Sequence, residues 1–175
     1  MTLFTSLPAV GSTAIISSCR RYRYTLTRTI GCADKVVTFI MLNPSTADAN
    51  DDDPTIRRCK GFARHLAAGK LVVVNLFAFR ATKPKVLLAE KEPIGPENDD
   101  HIRWAAEEAH KSGGMVIAAW GAHGGHWNRD KQVMALLGAW DIFPKSLAET
   151  ANGMPRHPLY LPSNCKPLDY AGRDP

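Results

Sequence analysis

Residues 36–42, Val36-Val37-Thr38-Phe39-Ile40-Met41-Leu42, form a nearly unbroken apolar run closed by Asn43-Pro44. Apolarity that does not alternate predicts a central strand covered on both faces. A second run, Leu71-Val72-Val73-Val74, ends in the same way on Asn75. Between the two, Asp53-Pro54 offers a capping carboxylate and a proline at the first helical position. Ile56, Cys59, Phe62, Ala63 and Leu66 then recur at helical spacing until Gly69. Strand, helix, strand is a βαβ unit, with parallel pairing and a right-handed crossover expected. Both asparagines then stand at carboxyl ends of strands, where open α/β sheets hold their ligands.

The remaining chain extends this pattern. Thr, Ile, Tyr and Arg alternate over residues 13–30, which predicts one or two strands in a hairpin or flanking the sheet. Ala78 to Asn98 contains Pro84, Pro93, Gly95 and Pro96 and reads as a long irregular connection bordering the site. A helix is expected over Asp99–Lys111, a strand over Met115–Trp120, a helix over about Asn128–Leu137 and a short strand around Trp140–Phe143. The proline-rich segment from Met154 has no periodicity. These elements predict one domain over residues 1–175: an N-terminal β extension (1–34), an α/β core (35–163) and a C-terminal tail (164–175). The expected architecture is a three-layer α/β/α sandwich with a mainly parallel central sheet.

Composition narrows the function classes. With 45% hydrophobic residues in 175, the chain suits a soluble domain with a sizeable core. No apolar stretch approaches the roughly 18 residues of a membrane helix, and the N-terminus lacks a basic region ahead of its apolar residues, so a cytoplasmic location is expected. Cys19, Cys32, Cys59 and Cys165 are scattered, which predicts reduced, mostly structural thiols. Trp104, Trp120, Trp127 and Trp140 read as core or half-buried packing residues. The net charge of +5, with Arg20, Arg21, Arg23 and Arg28 interleaved with Tyr22 and Tyr24, fits either contact with nucleic acid or a half-exposed strand.

Three short motifs carry a resemblance. Leu42-Asn43-Pro44, Val74-Asn75-Leu76 and Arg156-His157-Pro158 occur in an order that resembles the uracil-DNA glycosylase superfamily, over about residues 36–163. Leu42-Asn43-Pro44 is similar to that superfamily's water-activating motif, closest to the branch specific for mismatched thymine or uracil. Val74-Asn75-Leu76 resembles its base-reading asparagine, and Arg156-His157-Pro158 the start of its minor-groove loop. The chain departs from the pattern at Ser45 and Thr46, where the superfamily has glycine or tyrosine, and at Leu159-Tyr160-Leu161-Pro162, where a serine-proline is usual. The segments Met41–Cys59, Leu76–Thr82 and His157–Leu161 most resemble an uncharacterised bacterial and phage family, domain of unknown function 1643, for which no activity is implied.

The resemblance implies that Asn43 places a water, that Asn75 reads a base edge and that His157 supports the departing base. Residue chemistry bounds these roles: an amide orients water but accepts no proton usefully, whereas Asn75 can both donate to and accept from a base. The structural alternatives are a turn residue for Asn43 and a buried loop tie for Asn75. Pro44, Ser45 and Thr46 would line the pocket, with Phe77 or Phe79 available to stack or to fill core. Arg57, Arg58, Arg80 and Arg156 are candidate contacts to phosphate or nucleic acid; the first three could equally pair with nearby aspartates. The expected partner is DNA or a nucleotide, with no cofactor. The alternatives are a non-catalytic nucleotide or nucleic-acid binder and a Mg²⁺-dependent hydrolase using Asp48 and Asp52. His123 and His126 lie in a glycine-rich segment and make a poor metal signature without a third ligand.

Overall fold

A computed structural model describes residues 11–45, 47 and 51–173. Thr46 and Asp48 lie outside the described residues. The elements run β1 (Thr13–Ile16), β2 (Arg23–Thr29), β3 (Val36–Met41), α1 (Pro54–His65), β4 (Lys70–Asn75), α2 (Pro84–Ala89), α3 (Asn98–Lys111), β5 (Met115–Ala118), α4 (Arg129–Ala139), β6 (Lys145–Ser146) and β7 (Leu168–Asp169). The strands form one seven-stranded sheet in the order β1-β2-β4-β3-β5-β6-β7.

The sheet is mixed. β4, β3, β5 and β6 pair in parallel, but β1–β2, β2–β4 and β6–β7 are antiparallel. This corrects the expectation of a mainly parallel sheet. The N-terminal hairpin pairs along the edge of β4 and flanks the parallel strands within the same sheet. β2 is correspondingly no half-exposed strand: Tyr22, Arg23, Tyr24, Thr25, Leu26 and Arg28 are all buried.

β3 explains how the continuous apolar run is used. Val36 and Ile40 join one apolar cluster with Ile102, Ala105 and Ala109 of α3 and Val133 and Leu137 of α4. Val37, Phe39 and Met41 join another with Ile56, Cys59, Phe62 and Ala63 of α1. Successive side chains thus enter opposite faces, as strand geometry requires. The crossover from β3 leads to β4 on one side, and that from β4 returns past β3 to β5 on the other. Crossovers of one hand then place α1 and α3 on opposite faces, and the crevice between the ends of β3 and β5 is the topological switch point.

Local signals account for most boundaries. Asp53 Oδ1 accepts from Ile56 N at 2.8 Å and Pro54 opens α1, as the sequence predicts. α1 stops before Gly69, at Leu66, with Ala67 taking the left-handed turn at φ 54°. Gly69 serves close approach instead: a Cβ there would lie 1.6 Å from the Ala33 carbonyl oxygen. Pro84–Ala89 forms a short helix within the connection expected to be irregular. The strand expected at Trp140–Phe143 is found at Lys145–Ser146, because α4 runs on to Ala139 with Trp140 as its cap.

Among the described residues, no helix is long and apolar enough to cross a membrane. All four cysteines are unpaired; Cys59 is buried in the core, where burial pushes its thiol pKa up, while Cys19 and Cys32 are exposed rather than structural. Trp120 is buried and Trp104 and Trp140 pack against the core, but Trp127 departs from the expected role, standing 47% exposed.

Candidate functional site

The carboxyl ends of the parallel strands open a pocket of about 620 Å³. That volume falls in the range of small-molecule sites. Backbone bonds set its edges: Leu76 N donates to Met41 O (2.9 Å), Phe77 N to Leu42 O (3.0 Å) and Ala119 N to Ile40 O (2.8 Å). Met41, Asn43, Val73 and Asn75 line it from β3 and β4, and Asp53, Thr55 and Ile56 from the start of α1. Trp120 to His123 enter from the segment after β5, with Thr150, Arg156, His157, Leu159 and Tyr160 from the C-terminal segment. That segment is held in place by Gly121 N donating to Pro155 O (2.9 Å) and Arg156 N to Ala148 O (2.8 Å). Gly121 has φ 73°, and a side chain there would meet His157 Cβ at 3.7 Å.

Asn43, Asn75 and His157, from three separate parts of the sequence, therefore share one pocket. Their amides differ in state. Asn43 Nδ2 donates to Pro44 O (3.0 Å) and Ala81 O (2.8 Å), fastening the loop after β3 to that after β4. Asn75 is 1% exposed, and its Nδ2 is buried without a hydrogen-bond partner. A buried N–H left unpaired costs about 1–3 kcal/mol, so an acceptor on a bound molecule would relieve it.

His157 Nδ1 accepts from Leu159 N at 3.3 Å, capping the 3₁₀ turn Pro158–Tyr160. The neutral ring consequently carries its proton on Nε2. Burial lowers the His157 pKa, and the nearby Asp53 carboxylate opposes that shift. Asp53 is the residue that sequence reasoning assigned too little. It caps α1 through Oδ1, but it also lines the pocket, and its Oδ2 accepts from Ser45 Oγ at 2.5 Å. A helix that follows a parallel strand starts at the sheet's carboxyl edge, so its cap residue belongs to the region where ligands bind; that was the available signal.

The other predicted residues divide between the pocket and its surroundings. Ser45 and Arg156 line the pocket, whereas Pro44 is buried beside it and contributes only its carbonyl. Phe77 is fully buried and meets the His126 ring at 5.8 Å; Phe79 packs edge-on against Tyr22 beneath Arg21. Neither lines the pocket, because both fill apolar space behind the strand ends. Arg58 donates to the carbonyls of Pro158 and Leu161 and lies over Phe62, so it holds the loop that carries His157. Arg57 is exposed and donates to the Asp52 carbonyl, while Arg80 is half-buried beside Arg21; neither lines the pocket.

The basic strand residues also settle inward. Arg23 is 2% exposed, lines the pocket and donates to the Ala47 carbonyl. Arg28 Nε meets Asp52 at 2.7 Å and Lys60 meets it at 2.8 Å. Burial alone would raise the Asp52 pKa, but the bonds from Lys60 and Arg28 outweigh it and hold the carboxyl below its ordinary range. Asp52 is thus an ion-pair residue, and no group of three or more His, Cys, Asp or Glu is placed to hold a metal among the described residues. His123 lines the pocket while His126 stacks on Trp127 at 5.5 Å, so the two do not act on one point.

The sequence model of the family described as protein of unknown function (DUF1643) matches residues 23–159, well over half of the chain. The chain belongs to this family. The match includes every element from β2 to α4, together with Asn43, Asp53, Asn75 and His157 of the pocket. Comparison with curated proteins and with solved structures returns no match.

Proposed function

We propose that this DUF1643 protein binds a nucleobase in the pocket and hydrolyses its N-glycosidic bond, the base being an unusual or modified one. The observation that carries this reading is the buried, unpartnered Asn75 Nδ2 on the wall of a pocket of about 620 Å³. A base carbonyl would satisfy that donor, and an asparagine amide reads such edges well. Asn43 has both amide hydrogens held by loop carbonyls, which leaves its Oδ1 to orient a water. His157 would donate from Nε2 to the departing base. Arg156, exposed at the same pocket, would meet a phosphate of DNA or of a nucleotide. On this reading the helices on the two faces make a three-layer α/β/α sandwich of the glycosylase-like kind, working in the cytoplasm.

The test is incubation with single-stranded and duplex oligonucleotides containing uracil, mismatched thymine or modified bases, followed by alkali to break the chain at abasic sites. Scission with at least one substrate is expected. Binding without scission on any of them would leave a non-catalytic nucleic-acid or nucleotide module and remove the hydrolase.

A further inference from the structure

We propose that Asp53 is the general base of this pocket, a role that rests on the hydrolytic reading above. Hydrolysis requires that water lose a proton as its oxygen forms the new bond, and an asparagine cannot take that proton. Among the described residues Asp53 is the only carboxylate that lines the pocket. Its two oxygens have separate tasks. Oδ1 accepts from Ile56 N, which fixes the carboxyl at the start of α1, and Oδ2 accepts from Ser45 Oγ, a residue that lines the same pocket.

A second, independent feature marks the same cavity as a ligand site: the unpartnered Nδ2 of Asn75, on the strand beside β3. With the base edge held there, the sugar is left to Asn43, Ser45 and Asp53, which line the same pocket from the segment between β3 and α1. In the reaction, the water oxygen bonds to the anomeric carbon of the sugar and its proton passes to Asp53. The carbon–nitrogen bond breaks and its electron pair leaves with the base, whose anion accepts a hydrogen bond from the neutral His157 Nε2–H and then takes a proton from solvent. Asp53 then releases its proton to solvent, and His157 keeps its own throughout. The net change is addition of one water, with hydroxyl on the sugar and hydrogen on the base.

The charged and titratable groups around Asp53 are His157 from the C-terminal segment, Cys59 on α1, and Arg23, His123, Arg156 and Tyr160 around the same pocket. The decisive variant is Asp53→Asn, because asparagine caps a helix as well as aspartate does. It preserves the helix start and removes only the basic oxygen. Single-turnover cleavage of the modified-base oligonucleotides should fall at least about a hundredfold. The wild-type rate should drop in acid as the base is protonated, and the variant should lose that acid limb. In addition, the His157 titration followed by NMR should move to lower pH in Asp53→Asn. Ser45→Ala should lower the rate less than Asp53→Asn.

Wild-type cleavage with Asp53→Asn within threefold of it would overturn the base role and leave the hydrolase. A large loss that preserves the acid limb would also overturn it, since a structural role lowers the rate at every pH. Wild-type protein that cleaves no substrate would remove the reaction and the base together.

Discussion

The ends of β3 and β4 bring the same side chain to one pocket, yet the two asparagines are held in opposite ways. At the end of β3, Asn43 donates twice to backbone carbonyls and fastens two loops together. At the end of β4, Asn75 is buried with its amide nitrogen unpartnered. Loops bound by side-chain donors are a scaffold feature, whereas a buried donor without an acceptor is costly unless a ligand satisfies it. Stability is thus expected to depend on the β3 end and recognition on the β4 end.

The amino ends of the same strands give the strictest control. Gly69→Ala would drive a methyl group into the Ala33 backbone, and should cost about 3 kcal/mol or more while touching nothing in the pocket. Chemical denaturation checks this; a loss below about 1 kcal/mol would show that the Ala33 turn yields. Asn43→Ala comes next. It leaves the Pro44 and Ala81 carbonyls short of a donor and should cost about 2 kcal/mol, or roughly 4–8 °C in Tm for a chain of this size. An unchanged Tm would mean that the loops are held by other bonds, and the contrast with Asn75 would collapse.

A pH effect of intermediate size follows from the C-terminal segment. Burial lowers the pKa of His157 in the folded protein, so the unfolded chain binds more protons as pH falls below about 6.5. Stability is then full above that pH and declines towards the folded pKa. His157→Gln should flatten part of the decline in Tm below about pH 6.5, with the buried His101, shifted downward by burial as well, accounting for a remainder. The same slope in the variant would place the titration elsewhere. The smallest loss is expected for Asn75→Ala, below about 1 kcal/mol, because removing the buried, unpartnered donor offsets the packing that is lost. A large loss there would mean that Asn75 is itself a structural tie.

The parts of the fold that were legible are those with local causes. The βαβ unit could be read because the apolar runs and the Asp53-Pro54 cap act within a few residues, and Asn43 and Asn75 could be placed because a strand's end is read from its own sequence. The antiparallel flank was not legible. Alternating Arg and Tyr in β2 reads the same at a half-exposed edge and in a buried strand whose arginines meet Asp52 and the Ala47 carbonyl, and only the pairing with β4 distinguishes them. β6 is two residues long and has no period of its own. Asp53 was legible as a cap, but only one oxygen fulfils that role; the other accepts from Ser45, and the residue lines the pocket. Phe77 and Phe79 stand beside Asn75 in sequence, yet they leave the strand end for apolar space that no local pattern reveals.

The most direct test follows the side-chain amides of Asn43 and Asn75 by NMR while uracil, thymine, hypoxanthine and other free bases are added. The account predicts a saturable shift of the Asn75 amide with at least one base, while the Asn43 amide stays in its loop bonds. An Asn75 amide unmoved by every base, or a base whose binding shifts only signals outside the pocket, would contradict it.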